Sequence, residues 1–140
     1  MSDRPNGAEL LKIARDALTR ELLAELPENR RYLALMIANA MAIAARELEL
    51  GDGAIRAELT SLRMLFEERG PDTAEDVGDR LDALNRRLCA EIRDGRFSGG
   101  EDEARLRDHL RRSAEARVAI SNPKALPPPS EKISNLRFSG

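Results

Sequence analysis

The stretch from Tyr32 to Ala45 reads Y-L-A-L-M-I-A-N-A-M-A-I-A-A, and its reading decides the fold. It holds no charge, Gly or Pro, and its one strongly polar side chain is Asn39. Arg30 and Arg31 stand before it, and Arg46 and Glu47 follow it. No other part of the chain is apolar on every helical face. A helix that is hydrophobic all round is expected to be surrounded by other elements. The stretch therefore predicts the central helix of a bundle, running from about Glu28 to Leu50 and ended by Gly51-Asp52-Gly53.

Working outward, Asn6-Gly7 is a helix-start signal, because the Asn side chain can accept a hydrogen bond from an orphan amide. Leu11, Ala14, Leu18, Leu22 and Leu26 then make one apolar stripe that Pro27 closes. Downstream of the central helix, Ile55, Leu59, Leu62 and Phe66 predict a third helix, stopped at Gly70-Pro71. A fourth opens at D-T-A-E-D, capped by Asp72 with Glu75 or by Thr73 with Asp76. Its stripe is Val77, Leu81, Leu84, Leu88 and Ile92, and Gly95 ends it. Ser98 with Glu101 offers a capping box to a fifth, whose buried side is read as Leu106, Leu110, Ala114, Val118 and Ile120. Asn122-Pro123 stops it. The expected architecture is all-α: an antiparallel bundle of about five helices over residues 1–122. An extended or disordered Pro-containing tail follows over 123–140.

Composition narrows the function classes. At 140 residues the chain is long enough for one domain with a real core. The net charge of −2 argues against an overall nucleic-acid-binding character. One cysteine, Cys89, cannot form an internal disulfide, which suits a reducing compartment. The apolar run is shorter than the roughly 20 residues that cross a bilayer. A soluble, cytoplasmic protein with no membrane partner is the expectation.

The chemistry-bearing residues are few. His109 is the only histidine, and one His without a Cys pair does not build the usual zinc site. It reads as solvent-facing or partly packed. Cys89 lies among Arg86, Arg87 and Arg93, a setting that can lower a thiol pKa, but no base or oxyanion site accompanies it. Packing is the simpler role. Arg105, Arg107, Arg111, Arg112 and Arg117 form a basic run interrupted by Glu103, Asp108 and Glu115, with no aromatic interleaving for base stacking. No catalytic, cofactor-binding or metal-ligating set is expected in this chain.

Asn39 is the more informative polar residue. A buried Asn must be hydrogen-bonded or it costs roughly 1–3 kcal/mol. Asn39 and Arg46 lie two turns apart on nearly one face, which Arg31 continues toward the N-terminus. Either Asn39 satisfies a loop carbonyl or fixes helix register, or these residues form a polar track that meets a partner or ligand.

Four pieces carry a family resemblance: R-P-N-G-A-E-L-L near the start, I-A-N-A-M-A-I-A-A-R-E-L-E-L-G at 37–51, L-N-R-R-L-C-A-E-I-R-D-G at 84–95 and R-V-A-I-S-N-P-K at 117–124. Together, over about residues 3 to 126, they resemble the small bacterial domain family DUF6285. Its most specific element here is N-A-x-A-I-x-x-R-E-L, Asn39 to Leu48. The resemblance implies an accessory subunit beside aminoglycoside-phosphotransferase-like kinases and acyl-CoA dehydrogenases. The partner kinase would phosphorylate a hydroxyacyl-CoA in hydroxy-acid (levulinate-type) catabolism, holding ATP and magnesium itself. By motif, Asn39, Arg46 and Glu47 are the implied interface or structural residues, with Arg31 added from the polar track. The alternative is a self-associating helical module that binds an acyl-CoA or another small ligand, with arginines of the fifth helix meeting its phosphates. A homo-oligomer is compatible with both.

Overall fold

The computed structural model describes residues 3–68 and 76–128. The expected stop at Gly70-Pro71, the caps involving Asp72, Thr73 and Glu75, and the tail from residue 129 onward lie outside them. Helix α1 spans Gly7–Ala17. The expected start is present: the Asn6 side chain accepts from the Glu9 amide and the Glu9 carboxylate accepts from the Asn6 amide, each at 2.9 Å. After Ala17 the helix widens into a π turn, Leu18–Leu22, and tightens into a 3-10 turn, Leu23–Glu25. The Thr19 hydroxyl donates to the Arg15 carbonyl at 2.9 Å, a back-bond that bends helices. Pro27 then reverses the chain.

Helix α2 runs without a break over Glu28–Leu65, 38 residues or about 57 Å. The expected end at Gly51-Asp52-Gly53 is corrected. A glycine ends a helix by adopting a positive φ, and the described glycines that do so are Gly95, Gly99 and Gly100. Both Gly51 and Gly53 keep helical geometry at a cost of about 1 kcal/mol each relative to Ala, and packing of Leu59, Leu62 and Leu65 farther along the helix offsets it. Two of the five expected helices are therefore one. Helix α2 stops at Leu65, followed by Glu67 at φ 55.

Helix α3, Val77–Arg93, starts on Asp76, whose carboxylate accepts from the Gly78 amide at 2.9 Å. Helix α4, Gly100–Ser121, starts on Gly99 rather than on a Ser98–Glu101 box; the Gly99 amide donates to the Glu103 carboxylate at 3.1 Å. It ends at Asn122-Pro123, where the sequence places its stop.

The core joins the C-terminal half of α2 to α3 and α4. It consists of Leu59, Leu62, Leu65 and Phe66, then Leu81, Leu84 and Leu88, then Phe97 and Leu106. Leu62 is wholly buried. Helices α2 and α4 run antiparallel: Arg105 Nη2 donates to the Met64 carbonyl, His109 meets Ser61, and Arg46 reaches Ile120. The buried side of α4 differs from the expected stripe. Leu110 and Ala114 are exposed, whereas His109 is 2 % exposed and sits beside Leu106 in the interface.

The N-terminal half of α2 is built differently. Helix α1 covers one stripe of it, burying Ala34, Ala38 and Ala45. On the other faces Tyr32 is 74 % exposed, Leu33 53 % and Ile37 43 %, and Leu35 and Met36 are half exposed. The expectation that Tyr32–Ala45 is surrounded by the rest of the chain is corrected. Helix α4, about 33 Å long, reaches only as far along α2 as Arg46.

Candidate functional site

Along α2, residues spaced alternately three and four apart share one seam, as a helix with 3.6 residues per turn requires. In the C-terminal half this seam is Gly51, Ala54, Glu58, Ser61 and Leu65, and α4 lies against it. In the N-terminal half the same seam continues as Arg30, Leu33, Ile37, Ala40, Ala44 and Glu47. Nothing in the described chain covers that part except at its lower end. Contiguous exposed apolar surface beyond roughly a few hundred Å² is uncommon on a monomer and marks interaction sites. This exposed seam, with Tyr32 and Met36 beside it, is the first candidate site.

The second is a groove of about 280 Å³ between α2 and α4, with Leu81 of α3 at its floor. Small residues open it: Gly51, Ala54 and Ala57 on α2 face Ser113 and Ala116 on α4. Glu47, Glu58, Arg112 and Arg117 border it. Arg117 Nη2 donates to Glu58 Oε1 at 3.1 Å, and Asn85 Nδ2 donates to the same oxygen at 3.4 Å. Arg112 pairs with Asp108. Both arginines at the groove thus already have carboxylate partners within the chain.

The sequence-derived residues do not converge on one site. Arg31 Nε donates to the Leu26 carbonyl at 3.2 Å and secures the connector before α2. Arg46 Nε donates to the Ile120 carbonyl at 2.6 Å and ties down the end of α4. Glu47 is exposed, at the junction of the seam and the groove. Asn39 is exposed, so the penalty that would demand a buried partner does not arise. The Asn39–Arg46 track is therefore divided between a solvent-facing residue and a tether.

Beside the groove, the Ser61 hydroxyl and His109 Nδ1 are hydrogen-bonded at 2.7 Å. The histidine is buried, not solvent-facing. Burial holds its pKa below the usual range near 6.5; Glu58 and Asp108 push it back up and Arg112 pushes it down. The pair resembles the start of a nucleophile–base arrangement. Ser61 lies in the last turns of α2, however, where the neighbouring amides are still committed to the helix ladder and do not form an oxyanion site. Its evident role is to satisfy a buried imidazole. Cys89, expected to pack, is exposed instead. Among the described residues no three His, Cys, Asp or Glu side chains are grouped to hold a metal. Among them, too, no helix is long and apolar enough to cross a membrane.

The exposed seam is what reading by residue type missed. Its three-four spacing is written in the sequence, but a stretch apolar on all faces conceals which face is special. No curated protein and no solved structure matches the sequence. A family model does, over residues 24–125, which takes in α2, α3 and α4 and leaves α1 outside. On that match the chain belongs to the family defined by the domain of unknown function DUF6285.

Proposed function

We propose that this chain is a non-catalytic accessory subunit of an aminoglycoside-phosphotransferase-like kinase acting on a hydroxyacyl-CoA in hydroxy-acid catabolism. The observation that supports a docking role is the exposed N-terminal half of α2, where large apolar side chains stand in solvent with no charge from Tyr32 to Ala45. A surface of that composition is a surface for another polypeptide. The kinase as partner follows from the family resemblance. The kinase supplies ATP, magnesium and the catalytic base, and this chain stabilises it or completes its substrate site. Co-expression with the kinase tests the reading. The two should co-purify, and kinase activity should fall when this chain is withheld. Separate purification with unchanged kinase activity would sink it.

The groove between α2 and α4 favours a second reading, a helical module that binds an acyl-CoA or a similar ligand. Its apolar floor suits an acyl chain, and its volume falls just below the roughly 300–1,000 Å³ range of ligand pockets. Titration of the isolated chain with acyl-CoA separates the readings, since saturable binding that is lost in Ala116→Leu belongs to the module alone.

A further inference from the structure

The seam Arg30, Leu33, Ile37, Ala40, Ala44 and Glu47 is complementary to itself when reversed. Laid antiparallel on a second copy with a two-fold axis between Ala38 and Asn39, Arg30 faces Glu47, Leu33 faces Ala44, and Ile37 faces Ala40. Every large side chain meets a small one and each cation meets an anion. In heptad terms each a position meets a d position, the layer pattern of antiparallel helix pairs. We infer that the exposed N-terminal half of α2 is the interface of a homodimer, in which two α1–α2 hairpins combine into a four-helix unit. The inference rests on the reading of this face as an interaction surface and names its occupant.

Three observations select a second copy over another protein. The first is charge. A strip without charge over its middle, ending in Arg30 at one end and Glu47 at the other, matches its own reverse, and isologous pairing requires that property. Neither Arg30 nor Glu47 forms an ion pair with any described residue, so both are available. The second is size. Leu33 and Ile37 are 53 % and 43 % exposed, whereas the positions that receive them are both alanine, which allows close helix approach. The third is continuity. The same seam is filled by α4 lower down α2, where small residues again line the contact. A second helix in the upper half extends one packing mode along the whole of α2. Helix α1 and the N-terminal half of α2 bury only Ala8, Ala34, Ala38 and Ala45, and a four-helix unit is what such a hairpin needs to enclose its large side chains.

Light scattering coupled to size exclusion, run on the full chain across a micromolar-to-submillimolar dilution series, tests this. A dimer is expected. Ile37→Glu should leave a monomer with unchanged helical circular dichroism, because position 37 is half exposed in the single chain. Arg30→Glu and Glu47→Arg should each weaken the dimer about tenfold, since each creates two like-charge pairs across the axis. The double variant should return to within about twofold of the original, because both contacts are restored with signs exchanged. A monomer throughout the series overturns the inference. So does a dimer that survives Ile37→Glu, or charge reversals that fail to compensate. A monomer whose co-purification with the kinase is abolished by Ile37→Glu assigns the face to the kinase instead, overturning self-pairing while the accessory role stands. A dimer that ignores the kinase overturns the accessory role and leaves the dimer in place.

Discussion

Arg46 of α2 donates a hydrogen bond from Nε to the main-chain carbonyl of Ile120, at 2.6 Å and across 74 residues of sequence. The carbonyls in the last turn of α4 have no partner within the helix, and a guanidinium supplies both a donor and a charge of the sign that a helix C-terminus favours. No basic residue lies in that last turn itself. That side chain thereby tethers the end of α4, which Asn122-Pro123 stops, against α2.

Arg46→Ala should therefore act through folding. A hydrogen bond involving a charged group contributes about 1.5–3 kcal/mol, and partial exposure of this one places the expected loss nearer 1 kcal/mol. Urea denaturation measures it, and hydrogen exchange should accelerate first in residues 118–122. A variant of unchanged stability and unchanged exchange would assign Arg46 to an interface instead.

The uninterrupted course of α2 has its own signature. A Cβ placed on Gly53 meets nothing within 4 Å, and one on Gly51 lies 3.5 Å from the Glu47 side chain. Both residues are helical, so Gly53→Ala should stabilise the protein by roughly 0.5–1 kcal/mol, with Gly51→Ala neutral to mildly stabilising. Two separate helices joined at left-handed glycines would show the opposite sign in both variants.

Leu62 is wholly buried where α2, α3 and α4 meet. Leu62→Ala should cost about 2–5 kcal/mol by lost transfer energy and the cavity left behind. Chemical denaturation of the two proteins gives the difference directly.

His109 links stability to pH. Its folded pKa is depressed by burial, so between the usual value near 6.5 and the lower folded value the unfolded chain binds more protons. The contribution is complete above about pH 6.5 and is lost as pH falls through the folded pKa. Glu58 and Asp108 moderate the shift and Arg112 adds to it. Denaturation midpoints at a series of pH values should show a steeper acid-side fall in the parent than in His109→Gln. Parallel curves would exclude the histidine as the cause.

The helix starts and stops that were legible in the sequence are those set by chemistry within a few residues. Asn6 with Glu9, Pro27 and Asn122-Pro123 act locally, and each is where the residue types place it. The stripe of α3 was legible for the same reason, because Leu81, Leu84 and Leu88 repeat at helical spacing on one buried face. Gly51 and Gly53 were misleading because a glycine permits a turn without requiring one. Whether the helix continues depends on what the following leucines pack against.

His109 and Asn39 exchange places with expectation for a related reason. A polar residue is buried where a distant group satisfies it, and Ser61 lies 48 positions away from His109. Asn39 was expected to need a partner because its neighbours are apolar, yet the protein leaves that whole face of α2 in solvent.

The sequence by itself determined that this chain is helical, where α1 and α2 begin and where α3 and α4 end, and that Tyr32–Ala45 is a charge-free segment within α2. Local propensity, capping and periodicity act over a few residues and can be read directly. Only the tertiary structure decided that the segment is covered on one side alone, because coverage depends on how far α1 and α4 reach along α2. Those extents are set by the start of α1 at Asn6-Gly7, which lies beside Leu48, by Asn122-Pro123 and by the grip of Arg46 on Ile120. The stretch that reads as the centre of a bundle presents Tyr32, Leu33, Leu35, Met36 and Ile37 to solvent in the folded chain.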